Sequence, residues 1–233
     1  MPAPTHSMRI TSITMLTPDI KLFQLSPTAG ALFTFTAGQF CMLHFSDPTK
    51  KGAIIKRSYS IASSPNEQFL ELCIKIKQDG TSGPLLAQFK EGTTITVEGP
   101  YGRFLLDQNS PRNIFLVGSG SGIAPLVSMM RTLRTIKRHA ILIYGFRYAE
   151  DYAYGDELSK MDDMTILPVA SHPKQPWPHA TGHVQDVIKT LAEQSFRGSD
   201  WYLCGPPAMV RDVKQMLLAK QVSETSIKTE MYE

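Results

Sequence analysis

The stretch Asn113-Ile114-Phe115-Leu116-Val117-Gly118-Ser119-Gly120-Ser121-Gly122-Ile123-Ala124-Pro125 joins an apolar run, a glycine-rich turn and the start of a helical pattern. Glycines let a backbone approach a pyrophosphate closely, and the free amides at a helix start favour negative charge. The spacing is G-x-G-x-G, whereas the dinucleotide fingerprint is G-x-G-x-x-G. The next predicted strand ends at Arg147-Tyr148, without the acidic residue that would hold a ribose. The stretch therefore predicts strand, turn and helix, with either a dinucleotide site or a simple tight turn.

Downstream of this stretch, apolar runs and helical patterns alternate to the end of the chain. Such alternation predicts a parallel sheet with helices on both faces. We expect strands at 113–117, 140–146, 165–170, 201–204 and 227–231, and helices at 124–135, 156–160, 184–193 and 207–220. Cys204 ends the fourth strand, at the sheet edge where ligands bind in such folds. A lone cysteine at a strand end is more commonly a buried core residue.

Upstream, residues 8–108 contain short runs rich in β-branched and aromatic residues, separated by turn-forming Gly, Pro, Asn and Asp. We expect strands at 8–16, 20–26, 39–46, 57–62, 70–77 and 94–98, and a short helix at 83–90. Strands at this spacing predict a small antiparallel barrel or sandwich. A polar link at 107–112 separates the two patterns, so we expect one domain at 1–108 and another at 109–233.

The composition is that of an ordinary globular chain, with 42% hydrophobic and 19% charged residues and a net charge of +3. So small a charge argues against nucleic acid or an anionic membrane as the main partner. No apolar run approaches the roughly 20 residues that span a bilayer, and residues 1–10 lack an apolar signal core. We therefore expect a cytoplasmic protein. Its three cysteines cannot supply the four thiolates of an iron–sulfur cluster, so a carrier of that type would be a separate protein.

The stretch Arg57-Ser58-Tyr59-Ser60-Ile61-Ala62-Ser63-Ser64-Pro65 places a cation, an aromatic ring and several hydroxyls on one predicted strand. Alternate side chains face opposite sides of a strand, and a twist or bulge would let both sides meet a long ligand. An arginine for phosphate, a ring for stacking and a hydroxyl for a ring nitrogen suit a flavin dinucleotide. The alternative is an amphipathic strand with an exposed arginine and a half-buried tyrosine.

Several motifs in a fixed order make the chain resemble the ferredoxin–NADP reductase family of flavoproteins over nearly its whole length. The matching motifs are Arg57-Ser58-Tyr59-Ser60, Gly80-Thr81-Ser82-Gly83, Gly99-Pro100-Tyr101-Gly102-Arg103-Phe104, Gly120-Ser121-Gly122-Ile123-Ala124-Pro125, Tyr144-Gly145-Phe146-Arg147, Cys204-Gly205-Pro206-Pro207 and Glu230-Met231-Tyr232. The resemblance implies an N-terminal antiparallel Greek-key β-barrel that binds FAD. It also implies a C-terminal parallel α/β domain that binds NADPH or NADH.

The resemblance further implies roles in the flavin site. Arg57 would hold the FAD pyrophosphate, since a guanidinium fork suits paired phosphate oxygens. Tyr59 would stack on the isoalloxazine ring, and Ser60 would donate a hydrogen bond to flavin N5. The other implied flavin contacts are Ile61, Cys73, Ile74, Lys75, Thr81, Ser82 and Gly83.

For the nicotinamide nucleotide, the resemblance places Cys204 near the nicotinamide ring and Glu230 near the reacting atoms. Together with Ser60 they form the expected catalytic set. Tyr232 would cover the flavin face and move aside for nicotinamide. The other implied contacts are Gly120, Ser121, Gly122, Ile123, Pro125, Arg147, Ser171, His172, Gly205 and Pro206.

The choice between the two nicotinamide nucleotides depends on Ser171-His172, where NADP-specific relatives often carry Ser-Arg. A histidine is only partly charged at neutral pH, and Arg147 is well placed to help with a 2′-phosphate. We therefore expect a slight preference for NADPH. The histidines at 172, 179 and 183 lack a regular ligand spacing, so we expect no metal site.

The implied function is that of an FAD-dependent oxidoreductase that moves hydride between NAD(P)H and FAD and passes electrons singly to a ferredoxin or flavodoxin. We expect a monomer and a small acidic carrier as partner, for which the basic residues Lys50, Lys51 and Lys56 offer a docking site or are simply a solvated loop. The reductase component of a multicomponent oxygenase and a free-flavin reductase are alternatives. A non-catalytic flavin- or nucleotide-binding electron-transfer subunit is an alternative of another class.

Overall fold

A computed structural model describes residues 3–77 and 82–232 as two β-sheets that meet along a seam. The first sheet is antiparallel and six-stranded, as the short strand patterns predicted. Its strands are β1 (Thr5–Met15), β2 (Ile20–Pro27), β3 (Phe40–Ser46), β4 (Ile54–Ser60), β5 (Leu70–Lys75) and β6 (Thr94–Tyr101). Their spatial order is β4-β3-β6-β1-β2-β5. The predicted short helix, α1 (Gly83–Ala87), falls between β5 and β6 in the chain.

Alternating side chains of these strands build the core of the first domain. In β3, Cys41, Leu43 and Phe45 are buried, whereas the residues between them are half-buried. The inward side chains pack with Phe23 and Val97 from neighbouring strands. Because burial of one large apolar side chain contributes about 1.5–3 kcal/mol, a slip of one residue in register would be costly.

Strand β4 starts and ends earlier than predicted. It spans Ile54–Ser60 rather than 57–62. The turn before it closes with a hydrogen bond from the Ala53 amide to the Lys50 carbonyl at 3.0 Å, so pairing with β3 extends back to that turn. Beyond β4, Ile61 keeps an isolated bridge to β5. The chain then leaves the sheet and packs against the second domain.

The second sheet is parallel. Its strands are β7 (Asn113–Ser119), β8 (Ile141–Phe146), β9 (Thr165–Ala170), β10 (Ala180–Thr181), β11 (Ser199–Gly205) and β12 (Ile227–Met231). Five of them match the predicted strands within two residues at each end, and the two-residue β10 was not predicted. The spatial order β10-β9-β8-β7-β11-β12 reverses direction beside β7. Ligands of doubly wound folds bind at the carboxyl ends of the strands next to such a switch point.

Helices cover both faces of the second sheet, as the alternating pattern predicted. They are α2 (Ile123–Thr135), α3 (Gly155–Leu158), α4 (Val184–Thr190) and α5 (Pro207–Ala219). Leu116 and Tyr202 pack in one apolar cluster with α2, whereas Phe115 and Trp201 pack in another with α4 and α5. Each helix in the described residues is too short or too polar to cross a bilayer.

The seam between the domains is an apolar contact. Ile20, Cys73 and Phe104 of the first domain belong to the same buried cluster as Met129 of α2. Strand β5 also contacts the glycine-rich turn at 120–122. The seam therefore brings the edge of the first sheet to the carboxyl ends of the parallel strands.

Candidate functional site

A crevice of about 620 Å³ opens at the carboxyl ends of the parallel strands. We call it the nucleotide crevice. Its walls come from the segments that follow β7, β8 and β9 and from the starts of α4 and α5. The predicted site residues that line it are Lys75, Gly120, Arg147, Ser171, His172 and Pro206.

The glycine-rich turn forms the floor of this crevice. Gly120 has a φ of +56°, and a Cβ on it would meet nothing within 4 Å, so open space lies above it. A Cβ on Gly122 would stand 2.4 Å from the Cys204 carbonyl oxygen, so this position needs glycine for a close approach. The Tyr144 hydroxyl donates to the Gly120 carbonyl at 3.1 Å. The turn is thus packed from below and open above, as the approach of a pyrophosphate requires.

A second cavity, of about 630 Å³, lies on the first domain between β4 and β5. We call it the flavin cavity. Arg57, Ser58, Tyr59 and Ser60 all line it, so both sides of the strand end meet the same space, as expected for a twisted strand. The other predicted residues that line it are Cys73, Ile74, Lys75, Ser82, Gly83, Ser121, Glu230 and Tyr232.

The start of α1 forms one end of the flavin cavity, which we call the phosphate end because the motif there predicts phosphate binding. A Cβ on Gly83 would lie 1.8 Å from the Lys77 carbonyl oxygen, so a glycine is required where these segments cross. Burial raises the pKa of Tyr59, and the nearby Ser82 side chain opposes the rise. Thr81, the remaining predicted contact of this motif, lies outside the described residues.

Ser60, Glu230 and Tyr232 form a hydrogen-bonded chain at the inner end of the flavin cavity. The Tyr232 hydroxyl donates to Ser60 Oγ at 2.5 Å, and Ser60 Oγ donates to Glu230 Oε1 at 2.9 Å. Burial raises the pKa of the Glu230 carboxyl, although the hydrogen bond from Ser60 opposes the rise. Burial also raises the pKa of Tyr232 well above its ordinary value. Tyr232 is therefore a neutral hydrogen-bond donor, and both hydroxyl groups in the chain donate in the direction of the Glu230 carboxylate.

Cys204 lies beneath this chain of hydrogen bonds. In the parallel pair β11–β12 it stands directly beside Glu230. Its side chain is fully buried, and burial raises its thiol pKa well above the ordinary value, whereas the nearby Tyr232 side chain opposes the rise. The sequence placed Cys204 at a ligand-facing position, whereas Tyr232 covers it in this structure.

Lys75 is the point at which the two cavities meet, because its side chain lines both. Its ammonium forms an ion pair with Asp19 Oδ2 at 2.7 Å. The Thr17 hydroxyl donates to Asp19 Oδ1 at 3.1 Å, which holds the carboxylate in the turn between β1 and β2. An acidic side chain therefore holds the lysine that faces both sites.

Cationic and polar groups gather at the outer rim of the nucleotide crevice. His172 Nδ1 lies 3.1 Å from Ser171 Oγ. The ring of Tyr148 carries two cations, with Lys174 Nζ 3.8 Å and Arg147 Cζ 5.1 Å from its centroid. The rim thus carries a guanidinium and an imidazole, and the Lys174 ammonium packs on the same Tyr148 ring as the guanidinium.

Some predicted contacts are buried rather than open to a ligand. The side chain of Ile61 has no exposed surface, and its amide donates to the Gln39 carbonyl at 2.9 Å. Ile123 and Pro125 are buried in the first turn of α2, where they anchor the helix to the core. Gly122 and Gly205 are also buried. Their backbones lie close together, because a Cβ on Gly122 would stand 2.8 Å from the Gly205 Cα atom. These positions shape the site by packing, and the predicted roles of Ile61, Ile123 and Pro125 in cofactor binding stay predictions.

The structure also adds lining residues that the sequence patterns missed. They are Phe40, Lys77 and Met231 at the flavin cavity, and Asp19, Gln185 and Asp212 at the nucleotide crevice. Phe40 is paired with Ser60 across β3 and β4 and stacks on Tyr101 at 5.8 Å between centroids. Its role could be inferred only once that strand pairing was known. Nothing in the local pattern marks Gln185 or Asp212.

Comparisons with known proteins agree with this two-site geometry. Residues 7–105 match the family model described as the oxidoreductase FAD-binding domain, and residues 116–215 match the oxidoreductase NAD-binding domain. The chain belongs to this family of FAD- and NAD-binding oxidoreductases. The enzyme is 29% identical over 220 residues to ferredoxin–NADP reductase B of Sorangium cellulosum, covering 89% of each chain.

Two further comparisons bear on the fold and the family. It is 30% identical over 232 residues to the propane 2-monooxygenase reductase component of Rhodococcus jostii, covering 94% of this chain but 61% of that protein. The crystal structure of a ferredoxin NADP⁺ reductase from Neisseria gonorrhoeae with bound FAD and NADP superimposes with a TM-score of 0.82, 24% identity and 98% coverage of both chains. At that identity the likeness shows the fold. The predicted fold class and the assignment as an FAD-dependent NAD(P)H oxidoreductase are both confirmed.

The residues present fit both cofactors of the family. The lining of the flavin cavity of this oxidoreductase includes a cation, an aromatic ring and a buried hydroxyl, from Arg57, Tyr59 and Ser60. The nucleotide crevice has an open glycine turn at the start of a 13-residue helix. In the described residues, no group of three or more His, Cys, Asp or Glu side chains is arranged to hold a metal ion.

Proposed function

We propose that this oxidoreductase takes hydride from NAD(P)H at the Ser60–Glu230–Tyr232 chain and passes electrons singly to a separate small acidic carrier of the ferredoxin or flavodoxin type. The observation that carries the proposal is the meeting of two cavities of nearly equal size at Lys75 and beside that chain. Bound FAD supplies the two-electron to one-electron chemistry. The protein supplies binding and the alignment of two rings. The proposal includes a division into domains after residue 108.

In the flavin cavity, the residues have separable tasks. Arg57 holds the pyrophosphate by charge and hydrogen bonding, and Lys75 lines the flavin edge beside the nucleotide crevice. Tyr59 offers its ring for stacking. The Ser60 hydroxyl donates its one hydrogen bond to Glu230 in this structure. When that bond is released, the same hydroxyl donates to the flavin ring nitrogen N5.

Tyr232 occupies the place that the nicotinamide ring takes during turnover. The support for this is its position over Cys204 and its hydrogen bond to Ser60. Movement of Tyr232 opens a path from the nucleotide crevice to the flavin cavity. It also uncovers Cys204 and leaves Glu230 beside the reacting atoms.

For the nucleotide, we propose a modest preference for NADPH over NADH. Arg147, His172 and Lys174 surround the outer rim of the crevice, where the 2′-phosphate would lie. Lys174 Nζ is also 3.7 Å from Glu150 Oε1, which partly offsets its charge. The guanidinium is the strongest of the three phosphate ligands because it is always charged.

For the carrier, we propose docking on the edge strand β4. Lys50 and Lys51 are exposed in the turn before it, and Ile54 is 62% exposed beside them. Lys56 is less available than its sequence position suggested, because its ammonium is paired with Glu98 Oε2 at 2.5 Å. An apolar contact ringed by cations suits a small acidic partner.

The reductase component of a multicomponent oxygenase is the second candidate. The match to the Rhodococcus propane 2-monooxygenase reductase favours it, although this chain spans 61% of the length of that protein. Both candidates share the nucleotide and flavin chemistry and differ in the acceptor. A panel of ferredoxins, flavodoxins and oxygenase components, each assayed for one-electron reduction, distinguishes them.

The test of the shared chemistry is simple. The purified protein should be yellow and should bleach under anaerobic conditions when NADPH or NADH is added. Stopped-flow traces with each nucleotide then give the preference. A colourless protein that cannot be reconstituted with FAD, or a yellow protein that neither nucleotide bleaches, would contradict the proposal.

A further inference from the structure

The loop that follows β4, residues 62–66, runs along one face of α2 and is bonded to it repeatedly. The Ser128 hydroxyl donates to the Ser63 carbonyl at 2.6 Å, and Ser64 Oγ lies 3.3 Å from Thr132 Oγ1. The positions 128 and 132 share a helix face because they are one turn apart. We call residues 62–66 the connecting loop, since it links the flavin strand to the helix that starts at the nucleotide turn.

Arg131 lies on the same helix and joins three segments through one guanidinium. Its Nε and Nη2 donate to the two oxygens of Glu157 at 2.7 and 2.8 Å. Its Nη1 donates to Glu71 Oε2 at 2.5 Å and to the Ala62 carbonyl at 3.4 Å. Glu157 belongs to α3 of the second domain, whereas Glu71 and Ala62 belong to the first. The fork therefore crosses the seam.

The charge balance at this junction makes the guanidinium hard to replace. Glu67 Oε2 is a third carboxylate, 3.5 Å from Nη1. The side chains of Arg131 and Glu71 are only 16% and 11% exposed. Burial raises the pKa of Glu71, and the guanidinium opposes that rise. One cation thus holds three acidic groups, and a planar fork satisfies two of them and a carbonyl in one fixed geometry.

Both ends of this link belong to a cofactor site. The connecting loop begins two residues after Ser60, which lines the flavin cavity. Helix α2 begins directly after the turn at 120–122, which forms the floor of the nucleotide crevice. Glu71 is two residues from Cys73, another residue of the flavin cavity. A shift at Arg131 would therefore change the distance between the two sites while leaving each site internally intact.

We propose that Arg131 is a positioning residue that sets the distance between the nicotinamide and flavin rings. It does so by holding the connecting loop and β5 against α2 and α3. This inference rests on the proposed function. Hydride transfer depends steeply on ring distance, so a displacement of about 1 Å far from the chemistry lowers the rate by as much as about 100-fold.

The decisive variant is Arg131→Lys, which keeps the charge but loses the fork. We expect the limiting rate of flavin reduction to fall about tenfold, because an ammonium cannot reach Glu157, Glu71 and Ala62 together. The dissociation constant for the oxidised nucleotide should stay within about twofold, since neither cavity is lined by this residue. The absorbance of the charge-transfer complex between oxidised nucleotide and reduced flavin should weaken, because it reports ring overlap directly.

The matched control is Arg134→Lys, one turn along the same helix. Arg134 pairs with Asp163 of the second domain at 2.9 Å, and 41% of its side chain is exposed. This variant should match the wild type in rate and in charge-transfer absorbance. Glu157→Gln is a milder second variant, because it keeps the shape of the fork partner. It should lower both the rate of flavin reduction and the charge-transfer absorbance, but by less than Arg131→Lys lowers them.

The outcomes separate this inference from the proposed function. If the wild type is not reduced by either nucleotide, the proposed function fails, and amide hydrogen exchange in residues 62–66 still reports whether Arg131→Lys loosens the connecting loop. If the wild type is reduced and Arg131→Lys shows wild-type rate and charge-transfer absorbance, the positioning role is wrong. An equal loss in Arg134→Lys, or a loss of nucleotide affinity as large as the loss of rate, would also overturn it.

Discussion

The flavin cavity and the nucleotide crevice have almost the same volume, about 630 and 620 Å³, but different walls. Two runs of consecutive residues, 57–60 in β4 and 73–75 in β5, provide about half of the lining of the flavin cavity. The nucleotide crevice is assembled from the ends of three strands and the starts of two helices. A ligand of the first site meets a rigid sheet edge, whereas a ligand of the second meets separate loops. Affinity is therefore concentrated in a few strand residues in one site and spread over many loop residues in the other.

From this contrast, the largest effect is expected on FAD affinity when Arg57 of the strand-built flavin cavity is replaced. Arg57→Ser removes a charged donor from the pyrophosphate, and two charge-assisted hydrogen bonds contribute about 3 kcal/mol. FAD binding should weaken about 100-fold, measured by fluorescence titration of the apoprotein. Arg9→Ser is the control, because Arg9 is exposed on β1. Equal FAD affinity in the wild type and Arg57→Ser would contradict the assignment of the phosphate end.

The next effect concerns Glu230, which the tail of the second domain brings into the flavin cavity. Glu230→Gln should slow flavin reduction about tenfold, because a neutral amide no longer places a negative charge beside the nicotinamide ring, which becomes positive as it gives up hydride. Stopped-flow reduction at saturating nucleotide measures it. Glu224→Gln is the control, since Glu224 is exposed and pairs with Lys214 at 2.7 Å. A Glu230→Gln protein as fast as the wild type would exclude the carboxylate from the reaction.

The same variant carries a prediction for stability. Burial raises the folded-state pKa of Glu230 above its ordinary value of 4.5. Its contribution to stability is therefore present below pH 4.5 and lost as the pH rises through the folded-state pKa. At pH 7 we expect Glu230→Gln to be more stable by about 2 °C in Tm, with the difference disappearing below pH 4.5. Thermal unfolding at both pH values checks the sign, and a variant less stable at pH 7 would contradict it.

In the loop-built crevice single changes should have smaller effects. His172→Arg adds a permanent charge at the rim, so the NADPH/NADH ratio of kcat/KM should rise about fivefold, as expected for one exposed ion pair of about 1 kcal/mol. His179→Arg is the control in the same loop, where the imidazole packs on Trp177 at 4.9 Å. If the ratio does not rise, His172 lies away from the 2′-phosphate.

The smallest effect is expected at the junction of the two sites. Asp19 neutralises Lys75 and competes with any phosphate that approaches it, and both side chains are nearly half exposed. Asp19→Asn should tighten nucleotide binding about threefold, measured as quenching of Trp177 fluorescence. Asp163→Asn, which breaks a similarly exposed pair with Arg134, should leave binding unchanged. Loss of the Asp19→Asn effect in a Lys75→Met background would confirm that it acts through the lysine.

The difference between the two sites also explains what could be predicted. Arg57, Tyr59 and Ser60 lie within four residues, so their side-chain chemistry suggested a flavin site. Strand alternation alone placed Ser60 on the opposite face, and the ordered family motifs were needed to choose this interpretation. The rim residue His172 was predicted from the resemblance, because it stands where NADP-specific relatives often carry arginine. Asp19 and Gln185 were missed, because each lies in a turn or helix start with no ligand pattern of its own. The sequence placed Cys204 at the correct strand end, but it did not predict that Tyr232 would cover Cys204.

Local sequence determined the two kinds of sheet, the glycine turn before α2 and the residues of the strand-built site, because backbone preference and side-chain alternation act over a few neighbours. Tertiary structure decided which distant residues meet. The bond from Ser60 to Glu230 spans 170 positions, and that from Arg131 to Glu71 spans 60. These contacts depend on the order of strands in each sheet and on the packing of the seam. Many weak contacts set both together, and no short stretch encodes them alone.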